Sequence, residues 1–475
     1  MPRLPTEIAG LVRHGMSRSL FSLAIKLATA GLTYLGFIVL ARTMQPFEYG
    51  YFAHGLALAT MLAVVAGMGQ QMAVLKLHAE ASAAGRPDDA RAVVGAGGAV
   101  TLSAGAVIAA LVVGVAFIGV LTHVFGKNAH IAAAGILVPL MALAECQSSS
   151  LRAQGSIWNA LAPRDILWRL GLPGAAVLLA AAGLGLDGWE ALLLAAALLA
   201  GVLVLQAVIA LRRGFAVLPR FAGLKTYWRR HGTLSRWFLY GAVIDVVALN
   251  ADTVLVGLFV SPEQAGVYFN AFRTAGLMTL IGYAVTLALA PMLARHYHEG
   301  DIAKAQLFTS LSVLAGFFAS LCFFVFFLVF GGTVMGLFGD GFAEGWPILI
   351  VLSVGLLVET AIGPSRTVMM MTGQERAYVL VFGAITAAGL ALQAIILPHY
   401  GLIGAALVAM AARIVSQLVI GAWCIVRVGV DPTLFGLMRS LRLVRAARLH
   451  DAGARDARAR DGVTASAVPG GTHVA

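Results

Sequence analysis

Apolar residues in this chain neither alternate nor keep to one stripe of a helix. They come in long blocks, separated by short polar breaks rich in Gly, Pro and Arg. Crossing the hydrocarbon core of a bilayer takes roughly 20 apolar residues in helical form. On that basis the chain divides into twelve spans: 19–41, 51–75, 92–122, 129–151, 165–183, 189–211, 237–260, 267–293, 306–331, 346–371, 376–397 and 402–427. Backbone polar groups find no water inside lipid, so each span is expected to be a helix. A transmembrane barrel would need alternating segments of about ten residues, and the sequence has no such run. The first span is too long for a signal peptide, carries Lys26 and runs on without a small-residue cleavage motif, so it reads as a true helix.

The spans fall into two sets of six that echo each other. Pro46-Phe47-Glu48-Tyr49-Gly50-Tyr51-Phe52 matches Pro262-Glu263-Gln264-Ala265-Gly266-Val267-Tyr268, with Pro, Gly and an aromatic at the same steps, each in a short loop after the first span of its set. Gly155 and Gly373 follow the fourth spans, and Gly183 and Gly401 the fifth, at nearly the same offset. Internal duplication in a membrane bundle points to a transporter with its site where the halves meet. The expected division is a cytoplasmic segment 1–18, a first six-helix bundle 19–211, a basic cytoplasmic linker 212–236, a second bundle 237–427, and a basic, partly disordered cytoplasmic tail 428–475.

Composition sharpens this. The chain is 60% hydrophobic and only 12% charged, with a mean hydropathy of +0.88. A soluble protein could not hide that much apolar surface. The net charge of +11 is concentrated in alternate loops. Basic residues crowd the termini, the loop 212–236 and the breaks at Lys76, Arg86, Arg91, Arg295, Lys304 and Arg376, whereas the opposite loops favour acids such as Glu48, Asp187, Glu263, Asp340 and Glu344. The positive-inside bias therefore predicts both termini on the cytoplasmic side, in agreement with an even number of spans. Arginines placed beside membrane spans argue against nucleic acid as a partner. The loop 212–236 serves as linker and topology signal, with anionic lipid headgroups as its sharper use. In the tail, Arg439, Arg442, Arg445 and Arg448 recur every three residues, a pattern that suits a helix lying on the inner leaflet.

Chemistry-bearing motifs are few. Cys146, Cys322 and Cys424 all sit within spans and read as small packing residues. No metal-ligand spacing and no phosphate-cradling glycine loop occurs, so neither a metal, a cofactor nor direct use of ATP is expected. Nothing has the form of an acid–base or nucleophilic constellation, and the outward loops are short, which disfavours an enzyme such as a polymerase or ligase without removing it from consideration.

What stands out is charge inside the spans, which costs a few kcal/mol per group and calls for a reason. Lys26 lies in span 1, Arg273 early in span 8 and Arg413 near the middle of span 12. Asp245 and Asp252 are seven apart on span 7, hence on one face. Glu145 with Arg152, and Glu359 with Arg366, repeat a seven-residue spacing on spans 4 and 10. The latter two sets are expected to be structural ion pairs. Lys26, Asp245, Asp252 and Arg273 are expected to line one polar chamber, in which a cation holds a phosphate and a carboxylate takes up a proton or Na⁺ or merely balances charge. The alternative for these four is the same packing role. His54 in span 2 is either a hydrogen-bonded packing residue or a proton-coupling group.

The stretch Ile38-Val39-Leu40-Ala41-Arg42-Thr43-Met44-Gln45-Pro46-Phe47-Glu48-Tyr49-Gly50 resembles the polysaccharide flippase family of the multidrug/oligosaccharidyl-lipid/polysaccharide exporter superfamily. Ser261 to Tyr268, Leu151-Arg152-Ala153-Gln154-Gly155 and Met371-Thr372-Gly373-Gln374 are similar to its other turns. The resemblance implies an all-α integral membrane fold, twelve transmembrane helices in two six-helix bundles forming a V around a central cavity, and alternating access. It implies flipping of an undecaprenyl-pyrophosphate-linked oligosaccharide across a bacterial inner membrane for a surface polysaccharide such as O-antigen or exopolysaccharide. The expected partners are the lipid-linked oligosaccharide, membrane lipids, and a polysaccharide polymerase with a chain-length regulator. Lys26, Arg273 and Arg413 become the expected substrate contacts, and Asp245 and Asp252 the coupling or charge-balancing groups. The acidic pair departs from a purely cationic cavity, which keeps a cation-coupled multidrug exporter open as the alternative.

Overall fold

The computed structural model of the chain describes residues 28–121 and 129–440. Lys26 and most of the expected tail lie outside these residues. Among the described residues all regular structure is helical. The first half comprises α1 (Ala28–Thr43), α2 (Pro46–Ala66), α3 (Gln70–Ala83), α4 (Pro87–Leu121), α5 (Ala129–Ala153), α6 (Ile157–Ala162), α7 (Arg169–Ala181) and α8 (Gly188–Arg212). The second comprises α9 (Leu224–Phe259), α10 (Pro262–Ala275), α11 (Thr279–His298), α12 (Ile302–Gly336), α13 (Trp346–Ile362), α14 (Ser365–Met371) and α15 (Glu375–Trp423).

Eight of the described helices are long and apolar enough to cross a membrane. Other expected spans fall on interrupted helices. Span 5 is split by a π-helical turn at Pro163–Trp168, and span 8 by a 3₁₀ turn at Gly276–Met278. Spans 11 and 12 share the 49 residues of α15, which is broken at Gly401 (φ 60°, ψ −152°). Gln393 Nε2 donates to the carbonyl of Ala405 at 3.1 Å. Twelve residues of straight helix would separate them by about 18 Å, so the chain doubles back here as a helical hairpin.

Local chemistry explains the main breaks. Gly69, at φ 71°, starts α3 in the left-handed region, and a Cβ there would run into the Ser235 carbonyl of α9. Ser261 caps α10 by accepting from Gln264 N at 3.2 Å, with Pro262 in the first turn. Pro46 occupies the same place in α2. The repeated Pro-to-Gly motif is therefore the first turn of a helix in both copies, not a loop. Its glycines exist for close approach: a Cβ on Gly50 would strike the Pro262 carbonyl, and one on Gly266 would lie 3.2 Å from Gly50 Cα. The copies cross glycine against glycine, and Tyr49 donates from its hydroxyl to Asn270 Oδ1 at 2.6 Å beside them.

Contacts divide the chain into two compact units. The larger holds the first half together with residues 237–280, 323–356 and 382–413. Its apolar core joins α1, α2, α5 and α8 around Tyr49, Phe52, Leu137, Leu192 and Leu199. Part of the expected linker belongs to it: α9 begins at Leu224, Tyr227 donates to Gln70 Oε1 at 2.8 Å and Gln70 Nε2 donates to Ser235 Oγ at 3.0 Å. The helix starts early because Tyr227 and Ser235 are a buried polar face matched to α3.

The smaller unit comprises residues 281–322, 357–381 and the chain from 414. In it the buried amide of Gln306 donates to the Asp431 carbonyl at 2.8 Å and accepts from Asp431 N at 2.7 Å. Leu434 N reaches the Ala361 carbonyl at 2.9 Å. The beginning of the expected tail is thus clamped onto α12 and α13.

Candidate functional site

A cavity of about 290 Å³ opens inside the larger unit. Its polar wall is Thr33 of α1, Glu145 of α5, Arg164 of the π turn, Arg169 of α7 and Arg273 of α10. Trp168 lies between the last two arginines of the first half, with its indole N–H donating to the Ala195 carbonyl at 2.9 Å. Three cations therefore face one space, and one carboxylate shares its lining.

The backbone explains how Arg164 and Arg169 converge. Five residues apart in an ordinary helix, they would point about 140° away from each other at roughly 100° per residue. The π turn at Pro163–Trp168 closes on a five-residue step and brings both onto one side. Pro163 begins that turn, and Pro173 lies within α7. Gly36 lets α1 come close, since a Cβ there would already be 3.1 Å from Pro173 Cγ.

The charges are only partly satisfied. Arg164 Nη2 and Glu145 Oε1 are 2.5 Å apart. Arg169 donates through Nη1 to the Thr33 hydroxyl, and its Nε is buried without a partner. Arg273 donates through Nη2 to Asn250 Oδ1 at 2.9 Å and lies 4.9 Å over the Phe269 ring. Its Nε is also buried without a partner. Two guanidiniums thus keep a buried donor in reserve, in surroundings where an unmade hydrogen bond is costly.

The expected site residues distribute differently from the sequence reading. Arg273 lines the cavity, while Asp245, Asp252 and Arg413 are not among its lining residues. Tyr268 donates to Asp252 Oδ2 at 3.1 Å, and Gln393 and Arg413 are the other groups acting on that carboxylate. Asn250 and Asp252 are two residues apart on α9, hence on nearly opposite faces, so Arg273 and Asp252 belong to separate clusters. Asp245 is half-buried on the same helix.

The expected pair of Glu145 with Arg152 is also corrected. Two helical turns separate them by about 10 Å along the axis. Glu145 pairs with Arg164 instead, and Arg152 donates to Ser149 Oγ at 2.8 Å. In the smaller unit Glu359 is half-buried, and Arg366 is exposed and lies 5.2 Å over the Tyr378 ring. His54 is buried between helices, with Nδ1 3.0 Å from His130 Nε2. A Cβ on Gly257 would press on its imidazole. Lys26 lies outside the described residues. Among the described residues no group of three His, Cys, Asp or Glu is placed to hold a metal.

The fold is shared with membrane transporters of the MOP superfamily. An inward-facing multidrug resistance MATE family transporter of that superfamily is 15% identical, with a TM-score of 0.67, and the match covers 89% of this chain and 99% of that one. The lipid II flippase MurJ in an inward closed conformation is 14% identical, with a TM-score of 0.63, over 91% of this chain and 93% of that one. A MOP superfamily transporter from Pyrococcus furiosus, described by the reverse polarity of its binding pocket, is 16% identical, with a TM-score of 0.55, over 89% and 94%. No curated protein matches the chain in sequence. A family model described as "Polysaccharide biosynthesis protein" matches residues 17–297, more than half of the chain. The chain is an all-α integral membrane protein with the MOP fold and belongs to this polysaccharide biosynthesis family.

Proposed function

We propose that the protein is a flippase that carries an undecaprenyl-pyrophosphate-linked oligosaccharide across a bacterial inner membrane for surface polysaccharide assembly. The observation that carries this reading is the cavity wall of Arg164, Arg169 and Arg273, with Glu145 the one carboxylate in the lining and two guanidinium Nε atoms buried without partners. A diphosphate offers several acceptor oxygens and a compact double charge, which is what planar guanidiniums bind best. The family match to polysaccharide biosynthesis proteins supports the substrate class.

In this reading residues 19–211 move against 237–427 in alternating access, with both termini cytoplasmic, and a polymerase with its chain-length regulator receives the product outside. Arg273 and Lys26 belong to the substrate path. Arg413, close to Asp252, and Asp245 set charge balance or coupling. No covalent chemistry is assigned to any residue.

The test is a strain lacking the protein. Loss of surface polymer with build-up of complete lipid-linked units on the cytoplasmic face is the expected outcome, rescued by the intact chain and not by Arg169→Ala or Arg273→Ala at equal abundance. Unchanged polymer and intermediates, with altered sensitivity to cationic drugs, would instead identify a multidrug exporter.

A further inference from the structure

The cavity is too small and too apolar to be explained by its arginines alone. At about 290 Å³ it lies at the lower limit of ligand pockets, roughly 300–1,000 Å³. Away from the arginines its wall is Phe37, Leu40, Phe52, Leu56, Leu172 and Leu199. The neutral polar side chains in the lining are already engaged: Thr33 and Thr60 donate to carbonyls of their own helices and Trp168 donates to Ala195. A sugar ring pushed into this space would bury hydroxyls against leucine and phenylalanine, which costs free energy for each unmade hydrogen bond. A short branched hydrocarbon would not.

Cationic wall and apolar floor together fit one chemical class. We propose that this cavity holds the junction of a polyprenyl carrier, its diphosphate against Arg164, Arg169 and Arg273 and its first isoprene unit against Phe37, Leu56 and Leu172, with the glycan left outside. The proposal rests on the lipid-linked substrate assigned above and says which part of it is recognised here. It makes this site a reader of the carrier, indifferent to the identity of the sugar. Charge complementarity selects the diphosphate end, and the volume limits the hydrocarbon to about one unit.

The experiment is isothermal titration of the purified full-length chain in a neutral detergent with farnesyl diphosphate, inorganic pyrophosphate and phosphatidylglycerol in separate arms. Farnesyl diphosphate is expected to bind at least about 30-fold more tightly than pyrophosphate, roughly 2 kcal/mol at 1.4 kcal/mol per tenfold. Leu56→Asn is expected to cut that ratio below fivefold while leaving pyrophosphate binding intact, which also shows that the variant folds. Arg169→Gln is expected to weaken both ligands. Equal binding of farnesyl diphosphate and pyrophosphate to the intact chain overturns the carrier-junction assignment and leaves the flippase reading standing. Phosphatidylglycerol binding as tightly as farnesyl diphosphate overturns the assignment in favour of a bulk-lipid site. Binding of tetraphenylphosphonium with no response to either diphosphate overturns both the assignment and the flippase reading.

Discussion

Two buried clusters flank the helix pair α9 and α10, and they handle charge in opposite ways. On one side Arg273 joins Arg164 and Arg169 around an open cavity whose lining holds a single carboxylate, Glu145. On the other side Asp252 accepts from Tyr268 at 3.1 Å, with Gln393 and Arg413 acting on it from α15. The first cluster is over-supplied with donors and has space in front of them. The second matches acid with base and hydroxyl, and its residues are absent from the cavity wall. A low-dielectric interior penalises unmatched charge, so the surplus in the first cluster is what a visiting anion would relieve. The second needs no visitor to be complete. This difference separates a binding site from an internal brace, although both are buried polar clusters inside apolar spans.

The largest effect should come from emptying the first cluster. Arg169→Ala or Arg273→Ala removes a charged hydrogen bond to substrate, of order 1.5–3 kcal/mol, so polymer output in a complemented strain is expected to fall roughly 10- to 100-fold at unchanged protein level. Lysine at either position keeps the charge and should retain part of the activity. Next in size is Glu145→Ala, which leaves Arg164 without its partner. Breaking a fully buried pair costs about 3–5 kcal/mol, but these side chains are 40% and 22% exposed, so about 1–2 kcal/mol of stability is expected after screening. Thermal melting of the single and double variants would show it, with Glu145→Ala/Arg164→Ala recovering much of the loss.

Asp252→Asn probes the other side of the comparison. It keeps an acceptor for Tyr268 and removes one negative charge near Arg413. If the cluster is a brace, stability falls by about 1 kcal/mol and polymer output stays within about twofold, whereas a more than tenfold loss at normal abundance would move Asp252 into the coupling machinery and erase the distinction drawn above.

How the sequence relates to these clusters differs between fold and site. The membrane class, the helical spans and the duplication were legible because lipid imposes length and apolarity on every crossing, and because Pro46/Gly50 and Pro262/Gly266 keep their spacing. The role of those glycines was not, since close approach of two backbones is a property of the pair and not of either copy. Arg273 was legible as a charge inside a span. Arg164 and Arg169 were not, because they sit where a span boundary was expected and look like ordinary flanking cations. The available signal was Pro163 before two arginines five apart, a spacing that becomes one face only when the helix widens into a π turn. Asp252 was grouped with Arg273 because a linear reading places neighbours together. The two-residue step from Asn250 to Asp252 turns them to opposite sides of α9.

The smallest effect belongs to a charge outside both clusters and serves as their control. Asp301 precedes α12, accepts from Lys304 N at 3.0 Å and has Lys304 Nζ 2.6 Å from its other oxygen. The Lys304 side chain and backbone hold its carboxyl below the usual carboxylate range. A lowered folded value means that this contribution is full above the ordinary carboxylate pKa and fades as pH falls through the folded value. Asp301→Ala removes a helix cap, worth about 1 kcal/mol or less at an exposed site. Thermal melting should therefore separate the variant from the intact chain slightly near neutral pH and not at all in strong acid. Polymer output should be unchanged, because the charge faces water, where screening leaves nothing for a ligand to relieve. A transport defect here as large as that of Arg169→Ala would mean that position in the cavity is not what makes a charge matter.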